Sequence, residues 1–425
     1  MISPLWGSGF RYFAGGQLVS LLGSSMAPIA LTFAVLDASG NPTELGVVLA
    51  ARMVPMLCFI LVGGAVADRF PRRTVLIAAN AGGALTQGAV AAVLITHNYD
   101  LLLISVLSAA NGVLDALTSP ALRGLVPELV AQDQLRKANA LLSSVRNATK
   151  LIGPALAGVL VATAGSGPTI AIDAVSYLLA ALILGQLRPT TGKPEAPRGT
   201  RFTTPARPTR PTWPTRRANT ATAMFADIRR GWDEFKAIRW VWAVTLSSAL
   251  MNLANTGVWQ VLGPPLTKNL AGEATWGLVL STRGIGLLVM SALMYRLVVR
   301  HLLRTGQLLS ALGALPLLTL ALGLQPAWLL ATAFAAGIGF SISGVSWDTS
   351  LQEHIDRGVL SRISSLDDLF SFIAIPIGLL AAGPLAHRFG AQRVTLVAAV
   401  IYLLSAWGSL LFKDVRELPH GVRAA

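Results

Sequence analysis

Apolar stretches long enough to cross a bilayer alternate with short polar connections along most of the chain. About 20 apolar residues are needed for a spanning helix, and twelve stretches approach or exceed that length. The pattern therefore predicts an all-α integral membrane protein, with the first stretch retained as a helix and not removed as a signal peptide. The predicted spans are 10–36, 45–67, 74–95, 100–122, 141–164, 168–187, 240–263, 275–295, 302–322, 326–348, 364–386 and 393–412.

The two halves of the chain repeat each other. Shifting residues 128–179 by 225 positions gives 14 identities in 52, more than the biased composition explains. Six helices duplicated in parallel orientation are typical of a transporter. The matched pairs include Glu128 and Glu353, Gly153 and Gly378, Gly158 and Gly383, Gly165 and Gly390, Tyr177 and Tyr402 and, at a different shift, Gly46 and Gly277 and Arg52 and Arg283.

One long hydrophilic segment, 188–239, separates the halves. Its first part is rich in Pro, Thr and Arg and predicts an extended linker. Its second part spaces Phe225, Ile228, Trp232 and Phe235 as the apolar face of an amphipathic helix at the membrane interface; a docking site for an acidic partner is the alternative. The predicted domains are a six-helix bundle over 1–187, this linker, a second six-helix bundle over 240–412 and a tail over 413–425.

Composition supports the membrane assignment, with 53% hydrophobic and 13% charged residues and a mean hydropathy of +0.60. The formal charge of +14 lies in the connections and does not predict nucleic-acid binding. Arginines concentrate in alternate connections, which predicts both termini in the cytoplasm of a bacterial inner membrane. The single cysteine, Cys58, excludes a disulfide within the chain.

Charged residues inside predicted spans are the first candidates for function, because each costs about 2.5–3.5 kcal/mol at a helix centre. Arg52 and Arg283 occupy equivalent places in helices 2 and 8, and Asp115 follows Asn111 by one turn of helix 4. We expect Arg52 and Asp115 to contact substrate or exchange a proton, since low dielectric favours the neutral carboxyl. A structural ion pair or snorkelling arginines are the alternatives, and Asp173 is expected to serve helix packing.

Uncharged polar residues also occur within spans, among them Gln17 in helix 1 and Asn252 and Asn255 in helix 7. As a set they predict a roomy amphipathic cavity, although each one is also explained as a helix–helix contact. Few charges line such a cavity, which argues against a phosphorylated or strongly ionic substrate.

The connection between helices 2 and 3 carries the most specific motif. It resembles the loop signature G-x-x-x-D-[RK]-x-G-R-[RK] of the major facilitator superfamily, with Pro71 in place of a glycine. The resemblance implies an inner gate in which Asp68 points at the start of helix 11 and an arginine pairs with Asp367 or Asp368, where Ser364 and Ser365 are predicted caps. The motif residues are Gly64, Asp68, Arg69, Arg72 and Arg73.

Helix 5 contains Gly153, Pro154 and Gly158, which permit bending and close packing. This run resembles the G-P-x-x-G-G antiporter signature of drug exporters, with Ala157 replacing one glycine. The family's intramembrane arginine of helix 4 is absent. The runs Val126–Val130 and Ala138–Leu142 resemble the branch with macrolide-efflux and siderophore-export proteins.

The resemblance implies a lipid-embedded monomer that exports an amphipathic small molecule by proton antiport through alternating access, without a cofactor or metal. An importer of a small metabolite with the same fold is the first alternative. A membrane sensor or enzyme is the second, although the five histidines are scattered and no phosphate-binding loop is apparent.

Overall fold

The computed structural model describes residues 8–130, 135–186, 235–294, 299–355 and 357–419. Within them the chain is helical, with no strand. The first six helices are α1 (Ser8–Ser39), α2 (Pro42–Arg69), α3 (Arg72–Ile95), α4 (Leu101–Leu129), α5 (Leu135–Ala164) and α6 (Ser166–Gln186).

The second half begins with α7, which consists of Arg239–Asn252, a π-helical turn Leu253–Gly257 and Val258–Ala271. Helix α9 is also divided, into Leu302–Ser310, a 3₁₀ turn Ala311–Ala314 and Leu315–Ala321. The remaining elements are α8 (Glu273–Met294), α10 (Pro326–His354), α11 (Arg357–Phe389), α12 (Ala391–Gly408), a 3₁₀ turn (Ser409–Leu411) and the short α13 (Lys413–Arg416).

Ten of the described helices are long and apolar enough to cross a membrane. Helices α7 and α9 are not among them, because each is divided into segments of 14 residues or fewer. The chain is thus a multi-span membrane protein, and the count of twelve spans stays a prediction. Most of the predicted linker, 187–234, lies outside the described residues, as do Phe225, Ile228 and Trp232.

Helix α11 corrects one expectation. It begins at Arg357, so Ser364 and Ser365 lie inside the helix and the prediction that they cap it is wrong. The physical reason is that the apolar helical spacing continues before them: Ile363 is fully buried and packs with Phe235 in an apolar cluster. Burial of this extra turn favours helix over a cap at the serines.

The turns at one end of the bundle repeat between the halves. Gly165 between α5 and α6 has φ 89°, and Gly390 between α11 and α12 has φ 88°. Only glycine adopts this conformation without steric cost, which explains why both positions match in the sequence repeat. We call this end, which also carries the α1–α2 connection, the predicted outer end.

The two halves meet near the predicted outer end through a set of close helix contacts that we call the glycine seam, defined by Gly46, Gly158, Gly277 and Gly383. A methyl group on Gly46 of α2 would lie 2.2 Å from the Leu379 oxygen of α11. Its repeat equivalent, Gly277 of α8, would bring one to 2.3 Å from the Pro154 oxygen of α5. The contacts α2–α11 and α8–α5 are therefore symmetric across the repeat.

Apolar packing reinforces this junction. One buried cluster contains Leu45 and Val48 of α2 together with Val261 and Leu262 of α7, all fully buried, and extends to Leu379 of α11. Since these residues come from both halves, the cluster closes the space between them toward the predicted outer end. Burying each such side chain contributes about 1.5–3 kcal/mol.

Candidate functional site

The central feature of the site is an ion pair between α2 and α4. Arg52 donates from Nε and Nη2 to Oδ2 of Asp115, at 3.2 and 2.9 Å. At a rise of 1.5 Å per residue, Arg52 lies about 15 Å along α2 from Pro42. The two side chains are 21% and 30% exposed, so the pair is neither sealed in the core nor free in solvent. The structure brings the two charges together as the ion pair that the sequence analysis gave as an alternative.

Close approach of α2 and α4 positions this pair. A methyl group on Gly112 would lie 2.0 Å from the Arg52 carbonyl oxygen, so only glycine fits there. Asp115 is three residues further along α4 and thus lies over the same part of α2. The structure thus contains an ion pair between these residues, and a role for it in substrate or proton binding stays a prediction.

Neighbouring polar residues extend from the pair toward α3 and α6. Asn111 donates from Nδ2 to Thr86 at 3.1 Å, and its Oδ1 is buried without a partner among the described residues. Gln87 donates to Oδ2 of Asp173 at 2.7 Å. Asp173 is fully buried and also accepts from Ser176 at 3.4 Å. It therefore joins α3 to α6, in line with the helix-packing role expected for it.

In the second half, the arginine equivalent to Arg52 has no carboxylate partner among the described residues. The Arg283 guanidinium of α8 lies 4.2 Å from the ring centroid of Phe340 in α10 and 5.9 Å from that of Trp259 in α7. No described carboxylate is within 4.0 Å of it. Cation–π contacts contribute about 0.5–2 kcal/mol, less than the roughly 2.5–3.5 kcal/mol that a mid-membrane arginine costs.

The repeat explains this difference. Helix α10 begins and ends 225 positions after α4. A methyl group on Gly337 would lie 2.0 Å from the Arg283 carbonyl oxygen, the same distance as from a methyl group on Gly112 to the Arg52 carbonyl oxygen. In this register Phe340 stands where Asp115 stands in the first half. The backbone geometry is kept, while the acidic partner is replaced by an aromatic ring.

The polar residues predicted in α1 and α7 are placed separately. Asn252 donates to the Ser371 oxygen of α11 at 3.0 Å. Asn255 lies buried in the π-helical turn and interacts with Tyr402. Gln17 of α1 is 8% exposed. The structure therefore gives Asn252 and Asn255 helix–helix contacts, and does not bring them to the Arg52–Asp115 pair.

The helix 5 motif lies at helix contacts. A methyl group on Gly153 would lie 1.8 Å from the Ser25 hydroxyl of α1, and one on Gly158 would lie 3.1 Å from the Ala274 oxygen of α8. Pro154 stands inside α5. The close approach expected from these residues thus connects α5 both to its own half and to the other one.

The loop motif is described only in part. Gly64, Asp68 and Arg69 belong to α2, but the side chains of Asp68 and Arg69 lie outside the described part of the structure. Arg73 donates to the Leu184 oxygen of α6 at 2.9 Å and to the Gly185 oxygen. Arg72 is also engaged in an interaction.

Asp367 has partners within its own half. It accepts from Thr245 of α7 at 2.7 Å and from the Trp347 indole of α10 at 2.9 Å. Asp368, its neighbour in α11, is exposed. The implied pairing of Arg73 with Asp367 is therefore not the arrangement in this structure.

Sequence reasoning missed a second charged group that joins the halves. Lys268 near the end of α7 contacts the carboxylate of Asp37 at the end of α1 and lies 2.6 Å from that of Glu273. Nearby, Tyr99 donates to Glu44 at 2.8 Å, and its burial and the Glu44 carboxylate raise the pKa of Tyr99. The only signal in the sequence was Lys268 as a lone lysine in an outer connection.

Comparison with known proteins now identifies the fold family. Residues 13–379 match the family model described as Major Facilitator Superfamily, which is most of the chain. The chain belongs to the major facilitator superfamily. The resemblance to this superfamily drawn from the loop motif is thereby confirmed, and the protein is a membrane transporter and not an enzyme.

Two curated relatives are similar over nearly the whole chain. The multidrug efflux pump Tap of Mycolicibacterium fortuitum is 25% identical over 414 residues, covering 93% of each chain. The macrolide efflux protein A of Streptococcus pyogenes is 23% identical over 420 residues, covering 97% of this chain and 98% of the relative.

A solved structure supports the fold. A bacterial homologue of the human lysosomal transporter Spinster, in an inward-facing and unoccupied conformation, superposes with a TM-score of 0.71 at 13% identity over 100% of both chains. At this identity the likeness concerns the fold alone, an all-helical fold of the major facilitator type.

Proposed function

We propose that this superfamily member is a secondary active transporter that exports an amphipathic small molecule by proton antiport through alternating access. The observation that carries the proposal is the partly exposed Arg52–Asp115 pair in the middle of two helices. Intramembrane ionisable pairs commonly serve proton relays and substrate pathways. The charge balance of this pair changes when Asp115 takes up a proton, because the neutral carboxyl no longer attracts the guanidinium.

The proposed cycle uses this change as its switch. Protonation of Asp115 releases Arg52, and the tight α2–α4 contact at Gly112 transmits the new arrangement of α4 to α2. Helix α2 also carries Gly46 of the glycine seam, so movement of α2 changes the contact with α11. Release of the proton restores the ion pair.

Export is the favoured direction because the two relatives named above, which match nearly the whole chain, bear efflux names. Under the positive-inside distribution of arginines, the glycine seam lies on the periplasmic side and both termini lie in the cytoplasm of a bacterial inner membrane. A seam closed on that side corresponds to a state that accepts substrate from the cytoplasm. Protons and membrane lipid complete the proposed set of partners, with a monomer as the working unit.

In this proposal, the loop motif closes the transporter on the cytoplasmic side, opposite to the glycine seam. The residues assigned to the inner gate are Gly64, Asp68, Arg69, Arg72, Arg73, Asp367 and Asp368. With the seam closed, Arg73 is attached to the end of α6. Closing the inner side would exchange that contact for one with the start of α11.

The test is uptake of a fluorescent amphipathic dye into inside-out vesicles that contain the transporter. An exporter accumulates the dye when the vesicle lumen is acidic, because protons leave as dye enters. Asp115→Asn should abolish this accumulation, whereas Asp414→Asn, at an exposed acid beyond α12, should retain it. Accumulation only under the reverse gradient would instead establish an importer, and dye movement indifferent to the gradient would remove proton coupling.

A further inference from the structure

We infer that the second half contains a subsite for a carboxylate group, formed by Arg283 of α8 and Trp259 of α7. The substrate class would be amphipathic organic acids that join one carboxylate to an apolar or aromatic body. This inference deepens the proposed function and rests on it for the direction of transport, but the binding chemistry is argued from the site itself.

The first argument is the uncompensated cation. Arg283 is partly buried in the middle of α8 and has aromatic rings for neighbours, with no described carboxylate within ion-pair distance. Its equivalent in the first half, Arg52, is paired with Asp115. The place of that acid is taken by Phe340. An anion that the described residues do not supply would complete the second half.

The second argument is an independent one, from hydrogen bonding. Trp259 is 3% exposed, and its indole Nε1 is buried without a hydrogen-bond partner among the described residues. Buried donors in native structures nearly always have an acceptor. Among the described residues, neither the Arg283 guanidinium nor the neighbouring Trp259 indole N–H thus has an acceptor. A carboxylate has two acceptor oxygens and suits this pair.

The third argument concerns the body of the ligand. The Trp259 ring lies 4.8 Å from that of Trp276 between ring centroids, and Phe340 on α10 is partly exposed. Trp259 and Trp276 belong to the apolar cluster that joins the halves, and Phe340 packs against it. Aromatic faces beside the cation favour an apolar or aromatic body attached to the carboxylate. A compact hydrophilic anion lacks that contact.

The test is equilibrium binding to the full-length purified transporter in lipid nanodiscs, with pyrene butyrate as the carboxylate probe and its methyl ester as the neutral probe. Wild type should bind the carboxylate about tenfold more tightly than the ester, the ratio expected for a charge-assisted hydrogen bond. Arg283→Gln should remove that difference without weakening the ester. Trp259→Phe keeps a ring and removes the donor, so it should reduce the preference by about threefold.

Arg388→Gln is the matched control. Arg388 is also an arginine over an aromatic ring of the second half, 5.4 Å from the centroid of Phe389, but it is exposed at the end of α11. Its substitution should leave the preference intact. Arg283→Lys, which keeps the charge, should retain part of the preference if Arg283→Gln does not fold.

Equal binding of the two probes to wild type, or binding of neither, would overturn the subsite. An undiminished preference in Arg283→Gln, or in Arg283→Lys where the glutamine variant does not fold, would overturn its location. These outcomes are separable from the proposed function, because binding is measured without a gradient. Loss of proton-driven transport with the carboxylate preference intact would contradict antiport alone.

Discussion

Asp115 and Phe340 occupy the same place in the two repeats, and this single exchange makes the halves electrostatically different. In the first half a guanidinium and a carboxylate neutralise each other. In the second, the same guanidinium position rests on an aromatic ring. The repeat therefore keeps a cation in each half, and among the described residues only the first of them is paired with a carboxylate.

Separating the charges of the first pair should cost stability. Arg52→Gln and Asp115→Asn each leave one partly buried charge without its partner, and each should lose about 1–3 kcal/mol of unfolding free energy. The double variant should lose less than the sum, because both charges are gone. Thermal unfolding in detergent measures this. Additive losses would mean that the two side chains do not depend on each other.

At the scale of the helix, the glycines explain where neighbours touch. Gly112 and Gly337 each meet an arginine carbonyl oxygen at a distance that excludes a side chain. These contacts hold α4 on α2 and α10 on α8, which in turn places Asp115 and Phe340. The residues that set the geometry are therefore not the residues that carry charge.

Adding a methyl group at either contact should disturb it. Gly112→Ala and Gly337→Ala should each destabilise the protein by about 1–3 kcal/mol through overpacking. Gly344→Ala in α10 is the matched control, since nothing lies within 4 Å of its methyl position; helix propensity there favours alanine by up to about 1 kcal/mol. The unfolding temperatures of the three variants test this. A similar drop in all three would show that any helical glycine is needed, and not only those at the close contacts.

The pattern of apolar positions predicted most of the helices, because burial in lipid depends on composition and length. It also predicted the repeat, and Gly46 and Gly277 indeed take equivalent places at the glycine seam. It did not predict that Arg52 meets Asp115, since those residues are 63 positions apart and rotation of a helix is set by packing. The start of α11 was misplaced because serines favour caps but are tolerated in a helix whose apolar spacing continues.

For the whole molecule, the junction of the halves at the predicted outer end defines the state of the transporter. The glycine seam, the shared apolar cluster and the contact of Lys268 with Asp37 all lie there. In the proposed alternating-access cycle, these contacts separate while the opposite end closes. Among them, the lysine bridge is the part that can be removed without changing helix packing.

Lys268→Gln should make the junction open more often. In a Cys58→Ser background, a cysteine replacing the fully buried Val261 should react with a maleimide about 1.4- to fivefold faster when Lys268 is lost, the effect of removing an exposed ion pair. Lys413→Gln, at an exposed lysine beyond α12, should leave the rate unchanged. An unchanged rate in Lys268→Gln would mean that the bridge does not hold the junction closed.

The most direct test of antiport at Asp115 is proton movement driven by substrate alone. Proteoliposomes loaded with an amphipathic dye and a pH-sensitive fluorophore are diluted into dye-free buffer without a pH gradient. The account predicts that wild type acidifies the lumen as dye leaves, and that Asp115→Asn leaves the pH of the lumen unchanged. Lumen acidification that persists in Asp115→Asn would contradict the assignment of proton coupling to this carboxylate.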